Sequence, residues 1–380
     1  MHQPRAYHWL FTYVVEMYDM LTRRRAVAIC AVAIAFSGTL FAQNRNQKPQ
    51  PNQPPKLTNA QKADLAVITQ SIDGIAAGQA APNDLSMTWA RQDLLKAQGG
   101  KQYVPFTVTI DPAAAAGKTL TVYWRVVSQG AAAAAPAPAA TQKGDNKNQP
   151  AAARPDYAYE DMNTVSVPGN AKGVERISRS FAVAPGTYDV YMVVKEPAPE
   201  KPQKNAPPQK MSLLKQTVQV PDLWNEELNT SSVFVAERID PLPAPLTTQQ
   251  QAERPYALGT MEIVPAVDNK FAKSEELQTF LLIYNAKTDK DNKPDISIEF
   301  NFHTTVKGEE KFFNKTNPQS LNAQTLPPGF DFAAGHQLQA GQAVPLTSFP
   351  EGEYRLEIKV TDKLADKSLT RNVNFTVAAQ

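Results

Sequence analysis

Apolar and polar residues alternate along several short segments of this chain. The alternation occurs at residues 104–110, 120–126, 188–194, 296–303 and 373–377. Because a strand points successive side chains to opposite faces, this period indicates strands with one buried face. Turn-forming Gly, Pro, Asn and Asp residues separate the segments. Many short strands with this spacing predict a mainly β protein built from antiparallel β-sandwiches.

A helical pattern precedes the strands, within a mixed segment at residues 58–100. Thr58 and Gln61 have the spacing of a capping box, which begins a helix. Apolar residues then recur at three- and four-residue intervals and form one stripe: Leu65, Ile68, Ile72 and Ile75. The stripe predicts a short N-terminal helix that packs on the first sandwich. The alternative is a helix that binds a partner protein.

An internal repeat predicts two sandwiches, each with an immunoglobulin-like fold. Segments 184–190 and 349–356 both contain a proline, then a glycine, one residue and a tyrosine, and lead into an alternating strand. The glycine supplies the turn. Tyr188 and Tyr354 are expected to hydrogen-bond back across it, as in the tyrosine corner of immunoglobulin-like folds.

The domain boundaries follow from the repeat and from stretches of biased composition. The first sandwich is expected at residues 101–222 and the second at residues 223–380. Residues 43–57 are rich in proline and glutamine, which is typical of an extended tether. Two low-complexity segments, 130–155 and 197–210, lie between predicted strands of the first sandwich and are expected to be long hairpin loops.

The second half also carries short segments that suggest a family. These are the sequences at 255–259, 263–266, 280–285 and 350–362. They resemble the immunoglobulin-like β regions of exported, uncharacterised acidobacterial-type proteins, the kind that accompany von Willebrand factor A or GWxTD segments. The resemblance covers residues 223–380 and implies a fold and an exported setting, not an activity.

The beginning of the chain has the features of an export signal. Three arginines at 23–25 precede an apolar run at 26–42 that ends in a small residue. This order predicts a secretory signal peptide at residues 1–42, and the alternative is an uncleaved signal anchor. Residues 1–19 do not have the composition of a signal n-region, so Met20 is the expected true start.

Removing this leader changes the composition. The whole chain has 39 basic and 37 acidic residues, and residues 1–42 hold four and two of them, so 35 of each remain. The single cysteine, Cys30, also leaves with the leader. A balanced charge argues against nucleic-acid partners. The cleaved protein is expected in the periplasm or at the cell surface, without disulfides and without membrane insertion.

Candidate chemistry is sparse in the exported part. Its only histidines are His303 and His336, both expected to be solvated or at a strand edge, and no nucleophile–base or zinc spacing accompanies them. We therefore expect no catalytic residue, no cofactor and no metal. One low-ranking calcium candidate is formed by Asp289, Asp291 and Asp295, whose oxygens suit a hard cation. A hairpin turn explains the same residues.

These observations favour a non-catalytic structural or protein-interaction module of the cell envelope. Its partners would be envelope proteins of unknown identity, contacted through exposed strand edges or the helical stripe. The alternative is a glycan-binding module that uses Trp89, Trp124 or Trp224. A hydrolytic enzyme is the third and least favoured hypothesis.

The leader generates the first testable prediction. N-terminal sequencing of the protein purified from its native cells should begin at Gln43, because cleavage is expected after Ala42. A chain that begins at Met20 would instead support the signal anchor. Recovery of any peptide from residues 1–19 would contradict the proposed start.

Overall fold

The computed structural model describes residues 57–130, 157–169, 173–199, 208–332 and 334–379. The predicted leader, nearly all of the tether and most of both low-complexity loops lie outside the described residues. No helix in the described part of the chain is both long and apolar enough to span a bilayer.

The predicted fold class is confirmed. The protein is mainly β, with two immunoglobulin-like antiparallel sandwiches and a short N-terminal helix. The described residues divide into an N-terminal unit, 57–269, and a C-terminal unit, 270–379. This division differs from the sequence-based boundary between residues 222 and 223, and the domain boundaries stay a prediction.

The elements of the N-terminal unit run from a helix into the first sandwich and then into residues 223–269. Their bounds are α1 Asn59–Ala76, β1 Thr88–Gln92, β2 Leu95–Lys96, β3 Gln102–Ile110, β4 Thr119–Ser128, β5 Tyr159–Ser166, β6 Glu175–Val183, β7 Gly186–Lys195, β8 Met211–Val220, β9 Asn229–Thr230, β10 Phe234–Pro241, α2 Thr248–Glu253, β11 Ala257–Leu258 and β12 Met261–Pro265.

Two sheets form the first sandwich. One has the order β5-β4-β7-β8, and in the other β3 pairs with β6 on one side and with β1 and β2 on the other. β5 and β6 are therefore edge strands of different sheets. The pairs β4–β5 and β7–β8 are antiparallel neighbours, as the predicted hairpins require. The core between the sheets contains Phe106, Trp124 and Phe181, all almost fully buried.

Residues 223–269 belong to the N-terminal unit because polar contacts bind them to the sandwich. Arg91, on β1, donates to the carbonyl oxygens of Val233 at 2.9 Å and Val235 at 3.3 Å. Tyr103 on β3 donates to the carbonyl oxygen of Pro255 at 3.0 Å. Within this segment β10 pairs with β12, and β12 pairs with β11.

Helix α1 packs on the outer face of the β4–β7 sheet, as the apolar stripe predicts. Ile68 and Ile72 are buried against Tyr123, Tyr191 and other side chains of that face. The capping box at the start of the helix is also present. Because the stripe is covered by the sheet, it is not a free surface for a partner protein.

A buried ion pair fixes the same helix to the sheet. Asp64 on α1 and Lys195 at the end of β7 are 3% and 1% exposed, and their charged groups are in direct contact. Lys195 also donates to the carbonyl oxygen of Glu196 at 2.6 Å, and Asp64 accepts from the Ala198 amide at 2.9 Å and Thr121 Oγ1 at 3.2 Å. These added bonds offset part of the cost of removing both charges from water.

The elements of the C-terminal unit are all strands apart from one 3₁₀ turn. Their bounds are β13 Lys270–Ala272, β14 Glu276–Tyr284, β15 Ile296–Val306, β16 Glu309–Lys315, β17 Gln319–Leu321, β18 Leu338–Pro345, β19 Gly352–Asp362 and β20 Lys367–Ala378.

One sheet of this unit has the order β13-β20-β19-β15-β16, with β17 also paired to β15, and β14 pairs with β18. The predicted alternation of β15 is present, since Ile296, Ile298, Phe300 and Phe302 are buried. The short β13–β20 pair is parallel, in contrast to the antiparallel pairs around it.

Both predicted tyrosine corners are present. The Tyr188 hydroxyl donates to the carbonyl oxygen of Ala184 at 2.9 Å, and the Tyr354 hydroxyl donates to that of Pro350 at 2.7 Å. Gly352, before the second tyrosine, has a φ of +148°, which L side chains rarely adopt. The repeated sequence therefore builds the same turn in each unit.

The tyrosine corners generate a prediction about stability. Tyr188→Phe and Tyr354→Phe should each lower the free energy of unfolding by about 1 kcal/mol in urea denaturation, because each leaves a carbonyl without its donor. Tyr157→Phe is the control, since this ring contacts Arg125 through its face. A loss from the control as large as that from the corner variants would contradict the assignment.

The buried ion pair between Asp64 and Lys195 generates a second prediction about stability. Lys195→Met should lower the free energy of unfolding by about 3–5 kcal/mol, because it leaves Asp64 charged and buried without its cation. Adding Asp64→Leu should restore most of this loss. Lys118→Met, which breaks the more exposed pair with Glu196, should cost less than about 1 kcal/mol. Equal losses from the two lysine variants would show that the buried pair does not fix the helix.

Candidate functional site

A pocket lies at the open side of the first sandwich, where β5 and β6 end their sheets. Its volume is about 530 Å³. Residues 164–166 of β5 and 176–179 of β6 form one wall, and residues 253–256 and 262–265 form the other. We call it the Arg179 pocket, after the charged side chain buried in it.

The strand register places Arg179 in this position. On β6, Ile177, Phe181 and Val183 are buried and point into the sandwich, and Arg179 shares their face. Arg179 is only 4% exposed. Among the described strands β6 pairs only with β3, so an inward-facing side chain on β6 lies at the open side of the sandwich. An arginine here therefore reaches the pocket instead of the apolar centre.

The hydrogen-bond partners of Arg179 are neutral. Its Nε and Nη2 donate to Asn163 Oδ1 at 3.0 and 2.8 Å, and its Nη1 donates to the carbonyl oxygen of Ser178 at 2.7 Å. A guanidinium has five N–H groups, so one remains on each Nη atom. No carboxylate lies within 4.0 Å of Arg179 among the described residues.

The other arginines of the pocket are paired with carboxylates. Arg176 donates from both Nη atoms to Glu237, at 2.9 and 2.5 Å, and Arg254 makes a similar two-bond contact with Glu262. Arg179 is thus the pocket arginine whose charge the described residues do not neutralise by direct contact.

Burial sets the electrostatics of the guanidinium. Desolvation lowers the pKa of Arg179 below the usual value, while the more distant charges of Glu253 and Asp161 oppose that shift. Arginine remains protonated in proteins even so. The pocket therefore holds a permanent positive charge that water screens poorly.

The hydroxyl groups of the pocket are not arranged for nucleophilic catalysis. Ser178 Oγ is 2.8 Å from Thr107 Oγ1, and Ser166 Oγ is 3.3 Å from Thr119 Oγ1. Neither contact supplies the base that activates a serine nucleophile. Burial raises the pKa of the pocket tyrosine, Tyr256, well above its usual value. The arrangement suits binding of an anionic or hydrogen-bond-accepting group.

The two histidines that the sequence singles out do not lie in this pocket. His303, on β15, packs edge-on against Phe312, and its buried Nε2 has no hydrogen-bond partner among the described residues. His336 is exposed and accepts the Asp331 amide at Nδ1 at 3.0 Å. The structure does not bring these histidines together with a nucleophile.

The calcium candidate forms a turn. Asp289 accepts the amides of Asp291 and Lys293 at 2.9 Å each, and Asp295 lies 3.2 Å from Lys363 Nζ. No group of three or more histidine, cysteine, aspartate or glutamate side chains that could hold a metal occurs in the described part of the chain. These contacts form a turn, but it joins β14 to β15, which belong to different sheets, so the expected hairpin between two paired strands is not present here.

The three tryptophans proposed for glycan stacking differ in exposure. Trp89 stacks on Phe106 with ring centroids 4.7 Å apart, and Trp124 is 2% exposed. Trp224 is 44% exposed, but Lys96 Nζ lies 4.5 Å from the centre of its ring. A single indole with one face covered by a lysine gives the glycan hypothesis limited support.

Sequence reasoning missed Arg179, although a signal was available. The alternation Ile177, Arg179, Phe181 and Val183 places an arginine at a position where the pattern requires a buried residue. An inward charge in an alternating strand indicates either an edge position or a site. The partner Asn163 could not be found this way, because it lies on a strand of the other sheet.

Comparisons with known proteins add little. The sequence matches no protein-family model and no curated protein. Among solved structures, it is similar to trypsin-activated alpha-2-macroglobulin from Escherichia coli, with 12% identity over 79% of this chain and 17% of that chain and a TM-score of 0.19. The native conformation of E. coli alpha-2-macroglobulin gives 12% identity, 79% and 16% coverage and a TM-score of 0.19. The chain thus spans less than a fifth of those proteins, and likeness at this level identifies neither family nor function.

Proposed function

We propose that this protein is a non-catalytic, exported interaction module of the cell envelope that binds a protein partner at the Arg179 pocket. The observation that carries the proposal is a buried arginine that lines a pocket and whose guanidinium has, among the described residues, only neutral hydrogen-bond partners. Such a group supplies charge and directed donors to a ligand, and it cannot act as a base at ordinary pH.

The exported setting is supported by the predicted leader at residues 1–42, and the balanced charge that remains after it bears on the choice of partner. A chain with 35 basic and 35 acidic residues carries no general attraction for polyanions. Recognition would instead depend on local charge, and the Arg179 pocket concentrates one positive charge in a concave site. Concave sites with a few directed polar groups are typical of specific binding.

The edge of β6 also limits how a partner binds. The carbonyl oxygens of Ser178 and Ser180 accept from Arg179 Nη1 at 2.7 Å and Trp124 Nε1 at 3.1 Å. An added strand would have to displace both donors, and edge strands protected in this way rarely accept another chain. The proposal is therefore a partner side chain that enters the pocket, instead of strand addition along this segment.

Site-specific photo-crosslinking in intact cells tests the proposal. A photoreactive residue at position 166, on the pocket rim, should form a crosslink to a discrete protein. The matched control is position 219, which is exposed on β8, the opposite edge of the same sheet. Because the binding group is Arg179, the crosslink at position 166 should be lost in Arg179→Gln and retained in Arg238→Gln, which alters an exposed pair with Asp240.

Two results would contradict the proposal. One is the same set of crosslinked proteins from positions 166 and 219, which would indicate unspecific encounters. The other is a crosslink at position 166 that persists unchanged in Arg179→Gln while the variant remains folded by circular dichroism. In either case the pocket would not be the binding site.

A further inference from the structure

We infer that the Arg179 pocket binds a peptide carboxylate, the side chain of a glutamate or aspartate in the partner. The carboxylate would accept the two N–H groups of Arg179, one on each Nη, that bond to no other group among the described residues. This inference rests on the proposed function for the protein origin of the ligand. The anionic chemistry itself rests on the pocket.

The other two arginines of the pocket already bind carboxylates. Arg176 and Arg254 each hold both oxygens of a glutamate through two hydrogen bonds. Two-bond pairing of this kind is the strong mode of guanidinium recognition. For Arg179 the corresponding acceptor is Asn163 Oδ1, which takes two N–H groups without a negative charge. The Arg179 side chain is therefore held in place by a neutral group, and its positive charge is available to a ligand.

Burial strengthens the interaction of Arg179 with an incoming anion. A cation that is 4% exposed has lost most of its hydration, so a carboxylate that reaches it forms charge-assisted bonds in a poorly screened place. Arginine is also the cation that is most easily stripped of water, because its charge is delocalised. The same burial restricts the side chain, so little rotational freedom is lost on binding.

Two carboxylates in the surroundings of Arg179 compete with a bound anion. Glu253 lines the pocket and is exposed, and its charge is felt at Arg179 without direct contact. Asp161 also acts at a distance and accepts the Met162 amide at 2.8 Å. Solvent screens an exposed carboxylate, so Glu253 should weaken ligand binding without preventing it.

The size and walls of the pocket suit a short peptide. A volume of about 530 Å³ exceeds what one carboxylate needs and lies in the range of small-ligand pockets. Val165, Ile177 and Pro265 line it beside the polar groups. These apolar walls would contact the residues on either side of the bound acidic side chain.

Edge protection is the competing explanation for Arg179. Charged residues that point inward on an edge strand prevent two sheets from joining, and β6 is an edge strand. This role predicts that loss of the charge causes self-association and leaves ligand affinity unchanged. The carboxylate site predicts loss of affinity in a protein that stays monomeric.

Calorimetric titration of the full chain provides the test. The probe is the blocked tripeptide acetyl-Ala-Glu-Ala-amide, and the matched neutral probe is acetyl-Ala-Gln-Ala-amide. A second pair of compounds tests whether the carboxylate comes from a sugar acid. Methyl glucuronoside is the acidic probe, and methyl glucoside is its neutral match. We expect saturable binding of the glutamate peptide at least tenfold tighter than that of the other three compounds.

Two variants and their two controls assign the binding to Arg179. Arg179→Gln should weaken the glutamate peptide tenfold or more, and Arg238→Gln is its control. If Arg179→Gln does not fold, Glu253→Gln tests the site instead. Removing the competing charge at this exposed position should strengthen binding of the glutamate peptide about twofold. Glu309→Gln, an exposed change in the C-terminal unit, is the control for that variant.

The inference is overturned if the glutamate and glutamine peptides bind equally, or if neither binds. It is also overturned if Arg179→Gln self-associates with unchanged affinity, or if the glucuronoside binds better than the peptide. If the peptides fail these tests but the crosslink at position 166 still depends on Arg179, the carboxylate site is wrong and the proposed interaction module stands. Peptide binding without any crosslink would retain the carboxylate site and remove the envelope protein partner.

Discussion

Successive side chains of a β-strand point to opposite faces, and a strand that covers a core must bury every second residue. On β6 this constraint buries Ile177, Arg179, Phe181 and Val183 together. The strand cannot turn Arg179 outward without exposing three apolar neighbours. A charge is thereby held at the open side of the sandwich by the hydrophobic effect acting on the residues around it.

Three basic side chains are buried in the described part of the N-terminal unit, and each is stabilised differently. Lys195 contacts Asp64, so the charges cancel within the structure. Arg125 is 3.0 Å from Glu160, which keeps partial contact with water. Within the described ranges, Arg179 has only amide and carbonyl oxygens as partners. Since a buried charge is costly unless it is paired, the third arrangement is the one that an external anion would improve.

Much of the fold could be predicted from the sequence because its signals are local. The alternation of β15, the capping box at Thr58 and the corners at Tyr188 and Tyr354 each depend on residues within a few positions of one another. Their geometry follows from backbone periodicity and turn chemistry. The same reasoning identified the turn at 289–295 as an alternative to a calcium site.

The site could not be predicted to the same degree, because its parts come from distant segments. Arg179 was visible as an irregularity in an alternating strand. By contrast, Asn163 is its partner only because the two sheets face each other. Asp64 likewise lies one helical turn before Ile68, on the apolar stripe, and its role depends on Lys195, which is 131 residues away. Apolar periodicity alone does not show which inward charges find partners.

The division of the chain also has consequences for the site. One wall of the Arg179 pocket belongs to β5 and β6, and the other is built by residues 253–256 and 262–265. That second wall stays in place through contacts such as Tyr103 with Pro255 and Arg176 with Glu237. A fragment ending at residue 222 would keep Arg179 but lose Arg254, Tyr256 and the enclosing strand β12. The binding site is therefore a property of the whole N-terminal unit, and the sandwich alone would present Arg179 on an open edge.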